Sequence, residues 1–323
     1  MFMMRFDMRA PEFGGSTTDL YNAAIDMAEW AETRGCMAAV ISEHHTSSDG
    51  YIPSPLLLAS AMAARTDQLF ISIAAALLAF YDPIRLAEDM AVLDIISNGR
   101  LSYTLGLGYR PEEFEMYGID WKQRGAVVEE KLQLLLKAKT GEPFEHEGRR
   151  IHVTPLPITP GGPMVMWGGG SIAAAKRAGR YGLGFFAQSD KEGMLEAYEA
   201  SCREHGHEPG MAQLPPKDAA TTQFVADDVD KAWDEIGEYI LHDVKMYGEW
   251  NPGVETASIS HAQTVDELRA TSPAHKIYST DEAFEIVKSG APLMLMPLCG
   301  GIPPETAWPY LERAADVVQR AQG

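Results

Sequence analysis

Short β-rich runs alternate with longer helical patterns along most of this sequence, and the alternation constrains the fold more than any other feature. About eight such pairs occur in the 323 residues. The runs are Met3–Met8, Ala38–Ser42, Leu69–Leu78, Leu101–Leu107, Pro163–Trp167, Leu183–Ala187, Thr221–Val225 and Leu293–Pro297. Repeated βα units predict a parallel sheet covered by helices. A doubly wound sheet contains the same units, but a count near eight favours a (β/α)8 TIM barrel.

Helical signals fill the segments that follow these runs. In the first segment, Leu20, Met27 and Ala31 recur at the spacing of one helix face. In the third, Pro83 stands in the predicted first turn and Gly99 follows the predicted end, an asymmetry typical of helices. The predicted helices are Thr18–Arg34, Ser54–Arg65, Ile84–Ile96, Arg124–Lys139, Ile172–Tyr181, Lys191–His205, Val229–Tyr247 and Pro304–Gln319.

Two stretches interrupt the alternation. Glu142–Pro160, after the fourth strand, carries the signals of a small hairpin, and Glu249–Thr280, after the seventh, is polar and lacks clear periodicity. A segment of about thirty residues without a regular pattern is more often a functional lid or insertion than a linker. Because no second hydrophobic core is evident, we expect a single domain over residues 1–323, a barrel with insertions after strands 4 and 7.

The charge balance excludes several classes of partner. Acidic residues outnumber basic ones 46 to 27, for a net charge of −19, and so negative a surface repels nucleic acid and anionic lipid headgroups. The longest apolar stretch, near Ile73–Phe80, is far shorter than the ~20 residues of a membrane span. The three widely spaced cysteines suit a reducing compartment. We therefore expect a cytoplasmic protein that binds neither nucleic acid nor membrane.

Two adjacent histidines, His44 and His45, follow directly after the second β-rich run. In a barrel, functional groups come from the carboxyl ends of strands and the loops that follow them. A histidine there can act as general acid or base, because its unperturbed pKa is about 6.5. Packing against the loop explains these residues equally well. A metal site would need further ligands from other strand ends, and none is predicted because the other histidines fall in predicted helices or insertions.

Two glycine-rich loops follow other strands. Gly106 and Gly108 lie at and just after the end of the fourth run and allow a ligand to approach the backbone closely, while Arg110 can pair with an anion. A tight turn explains these glycines as well. The fifth run is followed by Gly168-Gly169-Gly170-Ser171, directly before a predicted helix. Free N–H groups at a helix N-terminus make a phosphate site, although Ser171 as a simple helix cap is the alternative.

Six segments, taken in order, form a recognisable set: SEHH with DGYIPSP, Ala74–Ala76, DPIRLAEDMAVLDIISNGRL, LGLGYRPEEFEMYGID, WGGGSIAAAKRAGRYG and PLCGGIPPETAW. Together they resemble the bacterial luciferase-like flavin-dependent monooxygenases over nearly the whole chain. The resemblance implies a (β/α)8 barrel, usually a homodimer, that binds reduced flavin mononucleotide (FMN) or a related deazaflavin coenzyme at the carboxyl ends of its strands. It also suggests that the helical segment Arg85–Ser97 builds the dimer face.

The same resemblance assigns roles to the candidate residues. His44 becomes the catalytic histidine beside the flavin and His45 supports it. A non-prolyl cis peptide under the flavin ring is expected at Ala75–Ala76, with Ala74–Ala75 as second choice. The phosphate is expected at Gly169, Gly170 and Ser171. The remaining predicted cofactor contacts are Ala75, Ala76, Gly106, Gly108, Tyr109, Arg110, Trp167 and Gly168.

One position departs from the family. Luciferase has an arginine that holds the flavin phosphate where this chain has Leu107, and Arg110 is the candidate to replace it. The aromatic residues near the strand ends, Phe80, Tyr81, Tyr109 and Trp167, predict an apolar pocket. They do not identify the small-molecule substrate.

The resemblance implies a reaction as well. Reduced FMN, supplied transiently by a separate flavin reductase, reacts with oxygen to give a flavin hydroperoxide that oxidises a small organic substrate, and His44 moves a proton. Hydride transfer by a deazaflavin is an alternative within the family. A barrel that binds flavin without catalysis is an alternative from another class.

Overall fold

The computed structural model describes residues 1–188, 190–216, 218–253 and 259–322, and within these ranges ten strands form one sheet. All its neighbouring strands are parallel. The strands are β1 (Phe2–Phe6), β2 (Cys36–Ile41), β3 (Phe70–Leu77), β4 (Leu101–Gly106), β5 (Phe144–His146), β6 (Arg149–Ile151), β7 (Met164–Gly169), β8 (Gly184–Ala187), β9 (Ala212–Gln213), β10 (Thr222–Ala226), β11 (His275–Ser279) and β12 (Leu293–Leu295). β5 and β6 form a separate antiparallel hairpin.

The order of the strands distinguishes the two architectures that the sequence allowed. It runs β11-β10-β12-β1-β2-β3-β4-β7-β8-β9. From β1 to β8 successive strands advance in one direction, and the late strand β12 lies beside β1. A doubly wound sheet instead reverses direction at its first strand. The chain therefore has an α/β fold of the TIM-barrel type.

Helices cover the sheet, and polar side chains cap the N-termini of the first and third. Ser16 accepts a hydrogen bond from the Asp19 N–H at the start of the first helix, and Asp82 caps the third, with Pro83 in its first turn. The helices are α1 (Thr17–Glu32), α2 (Pro55–Arg65), α3 (Pro83–Ser97), α4 (Pro111–Met116), α5 (Arg124–Ala138), α6 (Ile172–Arg180), α7 (Met194–Glu204), α8 (Val229–Trp250), α9 (Val265–Thr271), α10 (Thr280–Lys288) and α11 (Pro304–Gln322).

The two predicted insertions differ in outcome. Glu142–Pro160 contains the expected hairpin β5–β6. Glu249–Thr280 is more regular than its sequence predicts, because it contains α9 and the sheet strand β11. The sequence does not predict β11 because the strand is only five residues long. It buries only His275 and Ile277, and the first of these is polar. Residues 254–258 lie outside the described part of the chain.

Helix α8 departs from the usual course of a barrel helix. It begins just after β10, at the carboxyl ends of the strands. Its second half is still at those ends, since the Tyr239 carbonyl lies beside Gly300, which follows β12, and Asp243 bonds Arg9, which follows β1. The helix therefore crosses the mouth of the barrel instead of running down its wall.

In the described part of the chain, no helix is both long and apolar enough to cross a bilayer. Nor does any group of three or more His, Cys, Asp or Glu side chains there converge as a metal site.

Candidate active site

His44 lies at the carboxyl end of β2 with both ring nitrogens engaged. Its Nδ1 is 2.9 Å from Oε1 of Glu113, and its Nε2 is 3.0 Å from the hydroxyl of Tyr109. Glu113 is fully buried in α4, and its carboxylate accepts a hydrogen bond from the Nδ1–H group. The Nε2 lone pair consequently faces the Tyr109 hydroxyl, which donates to it.

The environment keeps the His44 ring neutral. Burial lowers its pKa below the usual value, and the hydrogen bond from Nδ1 to Glu113 only partly opposes that shift. Aromatic rings surround the imidazole, with centroids 5.0 Å away for Tyr51, 5.2 Å for Tyr109 and 4.9 Å for Trp250. A neutral imidazole with its lone pair on Nε2 is equipped to accept a proton there.

His45 points to the other side of the chain and forms a second histidine–carboxylate pair. Its Nε2 is 2.9 Å from Oε1 of Glu43, and its Nδ1 is 3.3 Å from the hydroxyl of Tyr117. Oε2 of Glu43 accepts from the Tyr81 hydroxyl at 2.8 Å and from the Leu77 N–H at 3.1 Å. Burial raises the pKa of Glu43, against the opposing bond from His45.

Arg110 is turned into this network and away from the rim. Its guanidinium donates to the His45 carbonyl at 2.5 Å, lies 3.5 Å from Glu113 and sits 4.0 Å above the ring of Trp250. The side chain is buried. The structure therefore gives Arg110 a role in fixing the two histidines, and does not support it as the replacement for the phosphate-holding arginine.

A buried ionic cluster lies beside His44 and ties α8 to the barrel. The fully buried Arg9 donates to Asp243 of α8 at 2.9 Å and to Asp49 at 2.7 Å. Its guanidinium carbon lies 4.7 Å from the ring centre of Tyr51 and 4.6 Å from that of Trp250. These contacts hold the last turns of α8 over the barrel mouth.

The cluster contains two aspartates with opposite pKa shifts. Burial and the neighbouring Asp243 raise the pKa of Asp7 to about 7, against the charges of Arg9 and Arg5. Burial alone would raise the pKa of Asp49 as well, but the hydrogen bond from His242 and the charge of Arg9 outweigh it and hold that pKa below its usual range.

The non-prolyl cis peptide joins Ala74 to Ala75. The first-choice position, Ala75–Ala76, was wrong by one residue, and the second choice is confirmed. Ala75 is partly exposed and lies next to Gly106, where an added Cβ would come within 3.2 Å of the Ala75 Cβ. Ala76 is fully buried in the core, so its side chain does not face the mouth. Strand alternation and burial could not show which of the two peptide bonds is cis, because all three residues are alanines.

The loop Gly168–Ser171 closes tightly onto the N-terminus of α6. A Cβ on Gly169 would lie 2.7 Å from the Ala174 Cβ, and one on Gly170 would lie 2.9 Å from Oε1 of Gln188. Ser171 caps α6 by accepting from the Ala174 N–H at 3.2 Å. The first N–H groups of the helix have no intrahelical acceptor. Lys191, which the sequence did not single out, donates to the Gly170 carbonyl at 2.9 Å.

Trp167 lies differently from expectation, and Gly108 forms the turn that the sequence allowed as its alternative. Trp167 is fully buried, with Arg177 of α6 5.1 Å from its ring centre. Side chains alternate along a strand, so the indole packs under α6 and does not line the mouth. Gly108 adopts a φ of +82°, and a Cβ there would lie 3.1 Å from the Phe114 ring. This glycine is required by its turn.

The family of this chain follows from comparison with known sequences. A family model described as luciferase-like monooxygenase matches residues 4–286, most of the chain. The chain belongs to the luciferase-like monooxygenase family.

Individual relatives of this luciferase-like protein are distant. It is 31% identical over 144 residues to the uncharacterized protein y4vJ of Sinorhizobium fredii, covering 45% of this chain and 41% of the relative. It is 24% identical over 208 residues to the alkanal monooxygenase alpha chain of Photorhabdus luminescens, covering 61% of this chain and 57% of that one. The matches span about half the length of these curated relatives.

Solved structures confirm the fold of this luciferase-like chain over its whole length. Monooxygenase RslO1 from Streptomyces bottropensis superimposes with a TM-score of 0.75 at 21% identity, over 100% of both chains. The oxygenating constituent of 3,6-diketocamphane monooxygenase from Pseudomonas putida, in complex with FMN, gives 0.70 at 21% identity, over 98% and 97%. An F420-dependent secondary alcohol dehydrogenase gives 0.65 at 16% identity, over 98% of both. At these identities the likeness establishes the fold alone.

Sequence reasoning missed several residues at the site of this luciferase-like protein. Glu113 stands in the quoted motif LGLGYRPEEFEMYGID and follows the fourth strand, so the rule that located His44 could have found it. Arg9 follows β1 in the same way. Asp243 and Trp250 carried no such signal, because nothing in the sequence shows that α8 crosses the mouth.

Proposed function

We propose that this protein is a flavin-dependent monooxygenase that uses externally reduced FMN and molecular oxygen to oxidise a small organic substrate. When bound, reduced flavin supplies the electrons by which one oxygen atom enters the substrate and the other leaves as water. The observation that carries the proposal is the buried His44–Glu113 pair at the end of β2, with the Nε2 lone pair facing the Tyr109 hydroxyl, where it can take a proton. A merely flavin-binding barrel would not need this arrangement.

His44 is the proposed catalytic base. Glu113 fixes the tautomer and the orientation of the ring by accepting a hydrogen bond from the Nδ1–H group. Burial keeps the ring neutral by lowering its pKa. The Tyr109 hydroxyl marks the position from which Nε2 would receive a proton. His45 supports this pair, because its backbone N–H also donates to Oε1 of Glu113, at 2.8 Å.

The residues present suit a flavin. Ala74 and Ala75 offer small side chains, and Gly106 none, where the ring system is expected. The bare backbone of Gly168–Gly170 leads to the N–H groups that open α6. Because Arg110 is engaged elsewhere, we assign the charge opposite the phosphate to Lys191, beside Gly170. A helix N-terminus and a nearby cation suit a phosphate group.

The cover over the barrel has a role in this proposal. The last turns of α8 are held by Arg9 and by Arg110, so they exclude water from His44 when the mouth is occupied. Exclusion of water strengthens electrostatic interactions and protects reactive species. The transient partner would be a separate flavin reductase that supplies the reduced cofactor.

We further propose a homodimer. The neighbouring helices α2 and α3 expose Leu57, Val92, Ile95 and Ile96, whose exposed fractions range from 41% to 74%. A group of apolar side chains this exposed is typical of an interaction surface. The proposed occupant is the same face of a second copy, which a two-fold axis would pair with itself.

The decisive experiment is an anaerobic calorimetric titration of the protein with reduced FMN and, in parallel, with the reduced deazaflavin coenzyme. Tight binding of FMN alone supports oxygen activation. Preference for the deazaflavin would overturn it in favour of hydride transfer. Binding of neither would contradict both assignments.

A further inference from the structure

His45 connects a group at the surface with a group that water does not reach. Its Nδ1 accepts from the hydroxyl of Tyr117, a residue that is 42% exposed. Its Nε2 donates to Oε1 of Glu43, which is 2% exposed. An imidazole can take a proton on one nitrogen while releasing one from the other.

Glu43 in turn contacts the end of β3. Its Oε2 accepts from the Leu77 N–H and from the Tyr81 hydroxyl, and both residues follow the Ala74–Ala75 peptide closely in sequence. The buried carboxyl is therefore placed between the ring of His45 and the strand end where the proposed flavin ring would lie.

The surroundings hold the His45 ring in place. The ring of Tyr117 stacks on Phe80, with centroids 4.6 Å apart and planes inclined by 17°, and the His45 ring meets Phe80 edge-on at 5.2 Å. The His45 backbone is fixed at both ends, since its N–H donates to Glu113 and its carbonyl accepts from Arg110. The backbone therefore stays in place while the ring exchanges protons.

We propose that Tyr117, His45 and Glu43 form a proton-exchange path between solvent and the buried end of β3. In the inward direction, the Tyr117 hydroxyl passes its proton to Nδ1 and takes another from a hydronium ion, which becomes water. The Nε2 proton of His45 moves to Oε1 of Glu43. Tyr117 and the neutral ring are regenerated, with the ring proton now on Nδ1, and the carboxylate has become a carboxylic acid. The reverse sequence returns the proton to solvent.

The groups that face this path favour proton uptake by Glu43. Burial raises the pKa of Glu43 and so brings its protonation closer to neutral pH. Tyr81, from the segment after β3, and Tyr117, at the end of α4, are the titratable hydroxyls that face it. From α4 and its N-terminal cap, Glu113 and Arg110 contact the His45 backbone with opposite charges.

The purpose of the path rests on the proposed function, because oxygen that leaves as water must receive protons beneath the cover of α8. The path itself can be tested without flavin. A proton path with no flavin binding, or flavin binding with no proton path, would separate the two proposals.

The experiment is a pH jump on the flavin-free protein, followed by time-resolved infrared spectroscopy of the protonated carboxyl group. The band lost in Glu43→Gln identifies Glu43. Tyr117→Phe, which removes only the hydroxyl at the surface end, should slow protonation of Glu43 by at least about tenfold without changing the end point. His45→Gln, whose amide keeps hydrogen-bonding capacity but cannot relay a proton, should slow it similarly.

Tyr109→Phe is the matched control, since it removes a hydroxyl from the other histidine pair and should leave the rate unchanged. An unaltered rate in Tyr117→Phe and His45→Gln would overturn the path. So would the absence of any Glu43 band between about pH 4 and pH 9, because an acid that never takes a proton in that range cannot exchange one.

Discussion

Nδ1 of His44 lies 2.9 Å from Oε1 of Glu113, and that single contact determines which ring nitrogen is available for chemistry. The carboxylate accepts a hydrogen bond from the Nδ1–H group, so the proton stays on Nδ1 and Nε2 keeps its lone pair. The same oxygen accepts the backbone N–H of His45, which couples the two adjacent histidines to one buried acid on α4.

Replacement of His44 by alanine should reduce turnover by about 10²–10⁴-fold, the usual contribution of a general acid or base. Binding of reduced FMN should remain, because the proposed phosphate and ring contacts lie elsewhere. Steady-state kinetics and anaerobic titration measure the two effects. His207→Ala, at an exposed histidine, is the control, and unchanged turnover in His44→Ala would remove His44 from the mechanism.

Glu113→Gln should move the acid limb of the pH dependence of kcat/KM to lower pH. The negative charge of Glu113 favours protonated His44, so its removal lowers the pKa of that ring further. The amide oxygen of glutamine can still accept a hydrogen bond from the Nδ1–H group, which preserves the tautomer. Glu112→Gln changes an exposed neighbour on the same helix and should leave the profile in place. A profile unmoved by Glu113→Gln would contradict the pairing.

Asp7 should make the protein less stable as pH rises. Its pKa is about 7 in the fold and about 3.9 in an unfolded chain, so the fold favours the protonated acid. That contribution is complete below about pH 4 and is lost as pH rises through about 7. In urea unfolding, the wild type should therefore lose stability relative to Asp7→Asn as pH rises across this window, because asparagine does not ionise. Asp230→Asn, at an exposed aspartate, is the comparison, and a pH-independent difference for Asp7 would refute the shift.

Lys191→Glu should weaken binding of FMN while leaving riboflavin, which lacks the phosphate, nearly unaffected. The lysine lies beside the Gly170 carbonyl, where a carboxylate would repel a phosphate at the start of α6. Titrations with both ligands measure the contrast. Lys288→Glu on α10 makes the same charge change elsewhere. Equal losses for FMN and riboflavin would place Lys191 outside the phosphate site.

Val92→Asp should convert the proposed dimer to monomers, because a charge at the centre of an apolar contact is left without a partner. Sedimentation velocity measures the change. Leu195→Asp, on an exposed apolar side chain of α7, should leave the assembly intact. A wild-type protein that sediments as a monomer would show that α2 and α3 face solvent or another partner.

Much of the site was predictable from strand ends. Because barrels place functional groups where strands terminate, the rule located His44, His45 and the glycine loop before α6 without coordinates. It did not identify the partner of each group. Arg110 looked like a free cation in sequence, but its guanidinium is occupied by the His45 carbonyl and Glu113.

The sequence by itself determined the repeated βα units, the place of Pro83 in a first helical turn and the rim on which the chemistry lies, because these depend on periodicity and on local backbone geometry. Only the tertiary structure decided that α8 crosses the mouth, that Glu43 and Glu113 each pair with a different histidine, and that Arg9 binds Asp243. These contacts join residues up to 234 positions apart. Such pairings depend on how the elements pack in space, which local sequence pattern does not encode.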